Sequence, residues 1–295
     1  MENIPSDGAI IFAPNHTNGL MDALAVLAID RKPKVFVARA DIFKKPRVAR
    51  ILNWLKIMPI NRVRDGLDQV RKNDETMDRA VEVLHAGVPF CILPEGMHRR
   101  KHALLPLQKG IFHIALRAIE KENNDRLLYI VPVGLDYSDW YHYWGELKVR
   151  IGSPINVQAY VASRGDMTEP QLINAMREEL STRMQTLFPC VPDDEQYEEN
   201  WVRLRGMENG LPESRLTKVL RWMLLIVFSP LAMVSAIVTI PLWLVPMILR
   251  TKVKDPAFQI AILFVWSWIK MLLTVFLLLP FWWFICEYLY QCRKI

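Results

Sequence analysis

The sequence predicts an α/β fold: a mostly parallel sheet flanked by helices, followed by a C-terminal α-helical membrane region. Three observations carry this reading. Before residue 200, short β-branched or aromatic runs alternate with longer helix-patterned runs, the signature of helices layered over a largely parallel sheet. Gly or Pro sits at many of the joins, where one element must stop and the next begin. Charge then nearly vanishes from the last quarter. Trp222 to Leu249 contains no Asp, Glu, Lys, Arg or His, and Ala257 to Cys286 carries only Lys270. Both stretches exceed the roughly 20 apolar residues that span a bilayer core.

In chain order, strands are expected at Ala9–Ala13, Val35–Ala38, Pro89–Leu93, Leu127–Leu135 and Leu147–Ile151. Helices are expected at Met21–Ile29, Arg47–Lys56, Leu67–His85, Ile111–Lys121 and Gln171–Leu187. The acidic stretch "PDDEQYEEN" (Pro192–Asn200) reads as a solvated separator, giving an α/β domain over 1–205 and membrane-embedded helical hairpins over 215–295. The run "DIFKKPRVARILNWLKIM" combines Lys44, Lys45, Arg47 and Arg50 with Phe43, Leu52, Trp54 and Leu55. It reads as an amphipathic helix packed on the sheet or, alternatively, as a basic helix lying in a lipid interface.

The apolar tail does not suit simple spans. As one helix, Trp222–Leu249 would run about 42 Å, longer than the ~30 Å hydrocarbon core. Pro230, Pro241 and Pro246 interrupt it. The polar links are all basic: Arg215, Lys218 and Arg221; Arg250, Lys252 and Lys254; Arg293 and Lys294. The positive-inside rule keeps all three links on the cytoplasmic face. Each apolar stretch is therefore expected to enter and return as a hairpin, with the α/β domain on the cytoplasmic side.

Net charge of +6 and pI near 9.1 suit nucleic acid, anionic lipid or phosphorylated substrates. The tail selects membrane lipid as partner. Nucleic acid is not expected, because no basic patch is interleaved with aromatics. Cys91, Cys190, Cys286 and Cys292 lack metal-ligand spacing, and a reducing compartment is the expectation. No signal-peptide pattern is seen in the first thirty residues.

Four places combine polar residues with strand ends. In "IIFAPNHTNGLMDALA", His16 and Asp22 would lie about 120° apart on a continuous helix, and the Asn18-Gly19 bend offers a way to bring them together. A carboxylate-held imidazole makes a general base. A helix-capping Asp22 beside a turn histidine is the plain alternative. "IMPINR" ends in Arg62, suited to hold a phosphate or simply a surface arginine. In "CILPEGMHRRKHALLPLQKG" an apolar strand runs into Glu95 and Gly96, followed by His98, Arg99, Arg100 and Lys101. Open α/β sheets bind ligands at such strand ends. His98 and His102 have no carboxylate or cysteine to complete a zinc site, so no metal is expected. "YIVPVGLDY" reads as a core strand broken by Pro132, serving as a wall.

Taken together as "NHTNGLMD", "IMPINR", "LPEGMHR" and "IVPV", in that order, these blocks resemble the glycerophospholipid acyltransferase family of the PlsC type, over about residues 8–155. "ARADIFKKP" also looks like that family's basic link between its first two blocks. The resemblance implies acyl transfer from a thioester, acyl-CoA or acyl-carrier protein, to a glycerophosphate hydroxyl, with no other cofactor. It implies His16 as the base, Asp22 as its orienting partner and Arg62 on the acceptor's phosphate. Glu95, Gly96, His98 and Arg99 would belong to acceptor binding. The attack would be direct, in keeping with the lack of a Gly-x-Ser-x-Gly element. The alternative on the same fold is a non-catalytic lipid-binding or lipid-remodelling protein.

Three departures stand out. Five residues separate His16 from Asp22, one more than the family's pattern, a spacing similar to that of fungal-type glycerol-3-phosphate acyltransferases. His98 stands where the family's third block carries Arg. The chain begins close to the first block, where relatives have preceding elements. Glycerol 3-phosphate, dihydroxyacetone phosphate and lysophosphatidate all remain open as acceptors, with a lean to the first.

Overall fold

The computed structural model describes residues 3–60, 73–120, 126–138, 140 and 146–208, with short pieces of the tail at 223, 226, 244–249, 251–253, 262, 265–269 and 272–273. The chain divides into two compact units, Met1–Met207 and Glu208–Ile295.

Within the first unit, the described residues form one seven-stranded sheet. Its strands are β1 (Gly8–Pro14), β2 (Val35–Arg39), β3 (Ile57–Ile60), β4 (Phe90–Cys91), β5 (Leu127–Tyr137), β6 (Leu147–Ile151) and β7 (Ile155–Asn156). The order is β3-β2-β4-β1-β5-β6, with β7 also on β5. From β3 to β5 every pairing is parallel, while β6 and β7 run antiparallel to β5. β1 lies between β4 and β5, with Phe12 opposite Cys91 on one side and Val131 on the other.

The helices are α1 (Leu20–Leu27), α2 (Pro46–Trp54), α3 (Asn73–His85), α4 (Gly110–Glu120), α5 (Val157–Ala162), α6 (Glu169–Gln185) and α7 (Tyr197–Glu208). Side chains alternate across a strand, so β1 divides its apolar residues between two cores. Ala9, Ile11 and Ala13 pack with Ala80, Val81 and Leu84 of α3, Ile111, Phe112 and Ile114 of α4, and Met176, Leu180 and Met184 of α6. Ile10 and Phe12 face the other side, with Ala25 and Val26 of α1. Phe12, Phe90 and Phe112 are fully buried, each stabilising the fold by about 2 kcal/mol. Both sheet faces are thus covered, as parallel strands require. The edge strand β6 is exposed along most of its length and carries Lys148 and Arg150, charges that discourage edge-to-edge pairing.

Each expected strand forms, with ends displaced by a few residues. β3, β7 and α5 were not foreseen, being too short to build a pattern of their own. Of the expected helix Leu67–His85, the part before Asn73 lies outside the described residues. Pro132 does not break its strand. It sits inside β5 opposite Ala13, and its carbonyl accepts from Gly152 N at 2.9 Å. In a strand, N–H and C=O of one residue point the same way, so the missing donor faces the gap between β7 and β6, where no ladder bond is lost.

The acidic stretch Pro192–Asn200 is exposed at 192–196, 198 and 199, as a solvated stretch should be, and a few apolar residues in and beside it dock it. Val191 and Tyr197 are buried, and Tyr197 opens α7, a docking that composition alone hides. As for the tail, no helix among the described residues is long and apolar enough to cross a membrane. Most of both apolar stretches lies outside those residues, which include helical pieces at 244–249 and 265–269.

Candidate active site

The ends of β4, β1 and β5 lie side by side, and each delivers polar side chains to one place. Asn15 extends β1 by imitation. Its Oδ1 accepts from Leu135 N at 2.6 Å and its Nδ2 donates to Leu135 O at 3.0 Å. This two-way bond ties the start of the turn to β5 and satisfies a side chain that is only 1% exposed.

The next residue, His16, is held at both backbone groups. Its N–H donates to Glu95 Oε1 at 2.6 Å, and its carbonyl accepts from Arg99 N at 3.2 Å. The chain then folds back. Gly19 adopts φ 56°, a left-handed value that a Cβ would resist, and Met21 N donates to Asn18 O at 3.1 Å. The bend expected at Asn18-Gly19 thus forms and brings the ring to the carboxylate: His16 Nδ1 lies 2.8 Å from Asp22 Oδ2.

Asp22 is wholly buried, which is costly for a carboxylate unless donors surround it. Three do. Besides His16 Nδ1, Asn18 N donates to Oδ2 at 2.8 Å and Tyr137 Oη donates to Oδ1 at 2.8 Å. A carboxylate so placed is an acceptor, so the shared proton belongs on Nδ1. Nε2 is left with its lone pair.

Tyr137 was missed by sequence reasoning, which treated β5 as a wall. The last residue of β5 instead supplies a hydroxyl to the base's partner. Burial, and then the nearby Asp22 charge, push that hydroxyl well above the usual tyrosine range, so it stays a donor. Its one available signal was position, at the C-terminal end of the strand beside β1.

Glu95 is anchored by backbone groups. Both carboxyl oxygens are taken by backbone: Oε1 by His16 N, and Oε2 by Leu105 N at 2.9 Å. Glu95 therefore joins the histidine turn to the loop after β4. It is 3% exposed, and burial outweighs the two N–H bonds, pushing its pKa up to about 7. Gly96 beside it has φ 69°, and its N–H closes a tight turn on Leu93 O at 3.2 Å.

His98 lies edge-on to His16, ring centroids 5.5 Å apart. Arg99 is ion-paired with Asp193, yet its buried Nε has no hydrogen-bond partner, nor have Thr17 Oγ1 and Asn18 Oδ1. His102 stacks on Trp201 at 3.9 Å. Arg62 lies outside the described residues. Among the described residues, no group of three or more His, Cys, Asp or Glu is arranged to hold a metal ion.

The structure thus brings His16, Asp22, Glu95, Gly96, His98 and Arg99 into one neighbourhood. The fold and this neighbourhood define a class: an α/β domain with a carboxylate-held histidine at the C-terminal ends of parallel strands, suited to taking a proton from a hydroxyl. Comparison with known proteins finds similarity over part of the chain. Residues 1–136 match the family model described as Acyltransferase. Over 118 residues the chain is 26% identical to the chloroplastic 1-acyl-sn-glycerol-3-phosphate acyltransferase LPAT1 of Arabidopsis thaliana, covering 40% of this chain and 31% of that protein. The chain therefore spans about a third of that curated relative's length. In the crystal structure of the 1-acyl-sn-glycerophosphate acyltransferase PlsC from Thermotoga maritima, the match is 22% identical with a TM-score of 0.42, covering 63% of this chain and 69% of that one. Residues 1–136, just under half of the chain, are thus similar to acyltransferases.

Proposed function

We propose that this protein moves a fatty acyl group from a thioester, acyl-CoA or acyl-carrier protein, to a hydroxyl of a glycerol phosphate, either glycerol 3-phosphate or its 1-acyl derivative. The observation that carries the proposal is the 2.8 Å contact between His16 Nδ1 and the buried Asp22. Nε2 takes the proton of the acceptor hydroxyl as its oxygen attacks the thioester carbonyl. The tetrahedral intermediate then collapses, the C–S bond breaks, and the thiolate recovers the proton from the imidazolium. Asp22 holds the ring's tautomer and balances its transient charge. Tyr137 in turn holds Asp22.

No acyl-enzyme is required. The chain has no Gly-x-Ser-x-Gly element, and burial pushes the Cys91 thiol far above its usual range, away from the reactive thiolate. In this reading Arg99 and His98, with Arg62, meet the acceptor's phosphate, and Glu95 and Gly96 shape the loop that presents them. The name of the Arabidopsis relative, an acyltransferase for 1-acyl-sn-glycerol-3-phosphate, supports an acceptor of this class.

A membrane-bound arrangement completes the proposal, because the product of such a reaction partitions into lipid. The apolar tail anchors the protein through helical hairpins, and the catalytic unit lies on the cytoplasmic face. α2 supports a lipid-facing role. Trp54 and Ile51 are 79% and 58% exposed, and on a helix they fall in the same arc as Arg47 and Arg50, both exposed. Trp54 thus lies among the basic residues, while Val48 and Leu52 are half-buried.

The test is a labelled acyl donor offered to detergent-solubilised protein with glycerol 3-phosphate, dihydroxyacetone phosphate and lysophosphatidate, the lipid products being identified. Acylation of at least one phosphate monoester is expected. Hydrolysis alone, or no turnover with any of them, would contradict the proposal.

A further inference from the structure

The family match ends at residue 136, yet the segment that follows α6 is fastened to the loop carrying the basic residues. Val191 N donates to His102 O at 2.6 Å. His102 N donates to Tyr197 Oη at 2.8 Å. Ala103, Val191 and Tyr197 form a small buried cluster with Trp201 against it, and Lys101 Nζ lies 4.6 Å from the Tyr197 ring centre. These contacts make Val191–Trp201 a strap, and its effect is to hold one carboxylate in place. Asp193 Oδ2 pairs with Arg99, and Oδ1 accepts from Lys101 Nζ at 2.7 Å.

Hydrogen bonds from Lys101 and Arg99 hold the Asp193 carboxyl below the usual range, so it is an anion at neutral pH. Arg99 is also the residue whose backbone N–H reaches His16 O at 3.2 Å, which puts this charge cluster one residue from the base. We propose that Asp193 is the internal counter-anion of the acceptor's phosphate site, and that an incoming phosphate monoester displaces it from Arg99 and Lys101. This rests on the reading of Arg99 as a phosphate-binding residue.

The exchange is physically reasonable in both directions. A phosphate monoester carries about −1.5 to −2 charge near pH 7 and three acceptor oxygens, more than one carboxylate offers. The displaced Asp193 side chain is about a third exposed, so it can turn into water while Val191 and Tyr197 keep the strap seated. Without a ligand, the carboxylate keeps two cations from repelling each other and holds Arg99 in a fixed rotamer. With one, it competes. Asp193 is thus a specificity-determining residue that raises the concentration of phosphate needed to fill the site.

The test uses the full chain in detergent at constant ionic strength, titrated calorimetrically with inorganic phosphate and with glycerol 3-phosphate. Asp193→Asn, Asp193→Ser and Arg99→Gln are compared with the wild type, folding being checked by melting. Removal of the carboxylate is expected to tighten binding of both probes about two- to fivefold, the fold-change of a partly exposed ion pair. In turnover, KM for the acceptor falls while KM for the acyl donor is unchanged. Binding that is unchanged or weaker in both Asp193 variants, with Arg99→Gln weakening it, overturns the counter-anion role and leaves Arg99 in the site. Binding unaffected by Arg99→Gln overturns the phosphate-site reading and the counter-anion role together.

Discussion

Glu95→Gln tests whether burial or hydrogen bonding governs the link between the two active-site loops. The wild-type carboxyl is buried, with two backbone N–H groups aimed at it, and its pKa rises from 4.5 to about 7. Between those values the folded protein binds more protons than the unfolded chain, so stability falls as pH rises. The contribution is fully present below about 4.5 and lost as pH passes through about 7. A shift of this size corresponds to about 3 kcal/mol. For a unit of this length, that is roughly 6–12 °C in melting temperature. Gln keeps the shape and does not titrate, so its stability lacks this component. The assay is chemical or thermal unfolding of both proteins from pH 4.5 to 8, with the difference between them plotted. Other titrating groups contribute to both and cancel. The difference is expected to move in favour of Gln by about 3 kcal/mol as pH rises. A difference independent of pH would show that the two N–H bonds keep Glu95 ionised throughout, and would refute the claim that desolvation wins.

Tyr137→Phe removes the donor to Asp22 Oδ1 and should lower kcat roughly tenfold to a hundredfold, the worth of a hydrogen bond to a charged group. Both KM values stay unchanged, and 15N-histidine NMR shows a less uniform His16 tautomer; a raised KM with normal kcat would make Tyr137 a substrate wall instead. At α2, a polarity-sensitive fluorophore on Trp54→Cys, with the native cysteines replaced, should shift to the blue in nanodiscs containing anionic lipid. Adding Arg47→Glu and Arg50→Glu should remove most of that shift, since each basic residue near an anionic surface contributes about 1 kcal/mol; a shift insensitive to lipid charge would argue against electrostatic docking.

The sheet was readable because its strands are unbroken apolar runs bounded by turns, and β1 shows why. Both of its faces are buried, so every residue from Ala9 to Ala13 must be apolar. The His16–Asp22 contact was readable as a possibility, since Asn18-Gly19 marks a bend, but only coordinates give the 2.8 Å approach. Tyr137 and Asp193 were not readable, because each acts across a long sequence separation. Tyr137 meets Asp22 from 115 residues away, and Asp193 meets Arg99 from 94. An acidic surface residue that pairs with a distant arginine looks, in sequence, like any solvated aspartate. The partners of Glu95 were unreadable for a related reason: they are backbone groups, which leave no mark on composition.

The central claim is that His16 removes the acceptor's proton. His16→Ala tests it most directly, because the backbone bonds to Glu95 and Arg99 survive the substitution and the fold is retained. Transfer to the glycerol phosphate acceptor, measured with labelled acyl donor alongside a melting curve, should fall by about 10²–10⁴-fold, the contribution of a positioned general base, with melting lowered only by the loss of one of Asp22's three donors. A folded His16→Ala protein that transfers acyl groups within a few-fold of the wild-type rate would contradict the account.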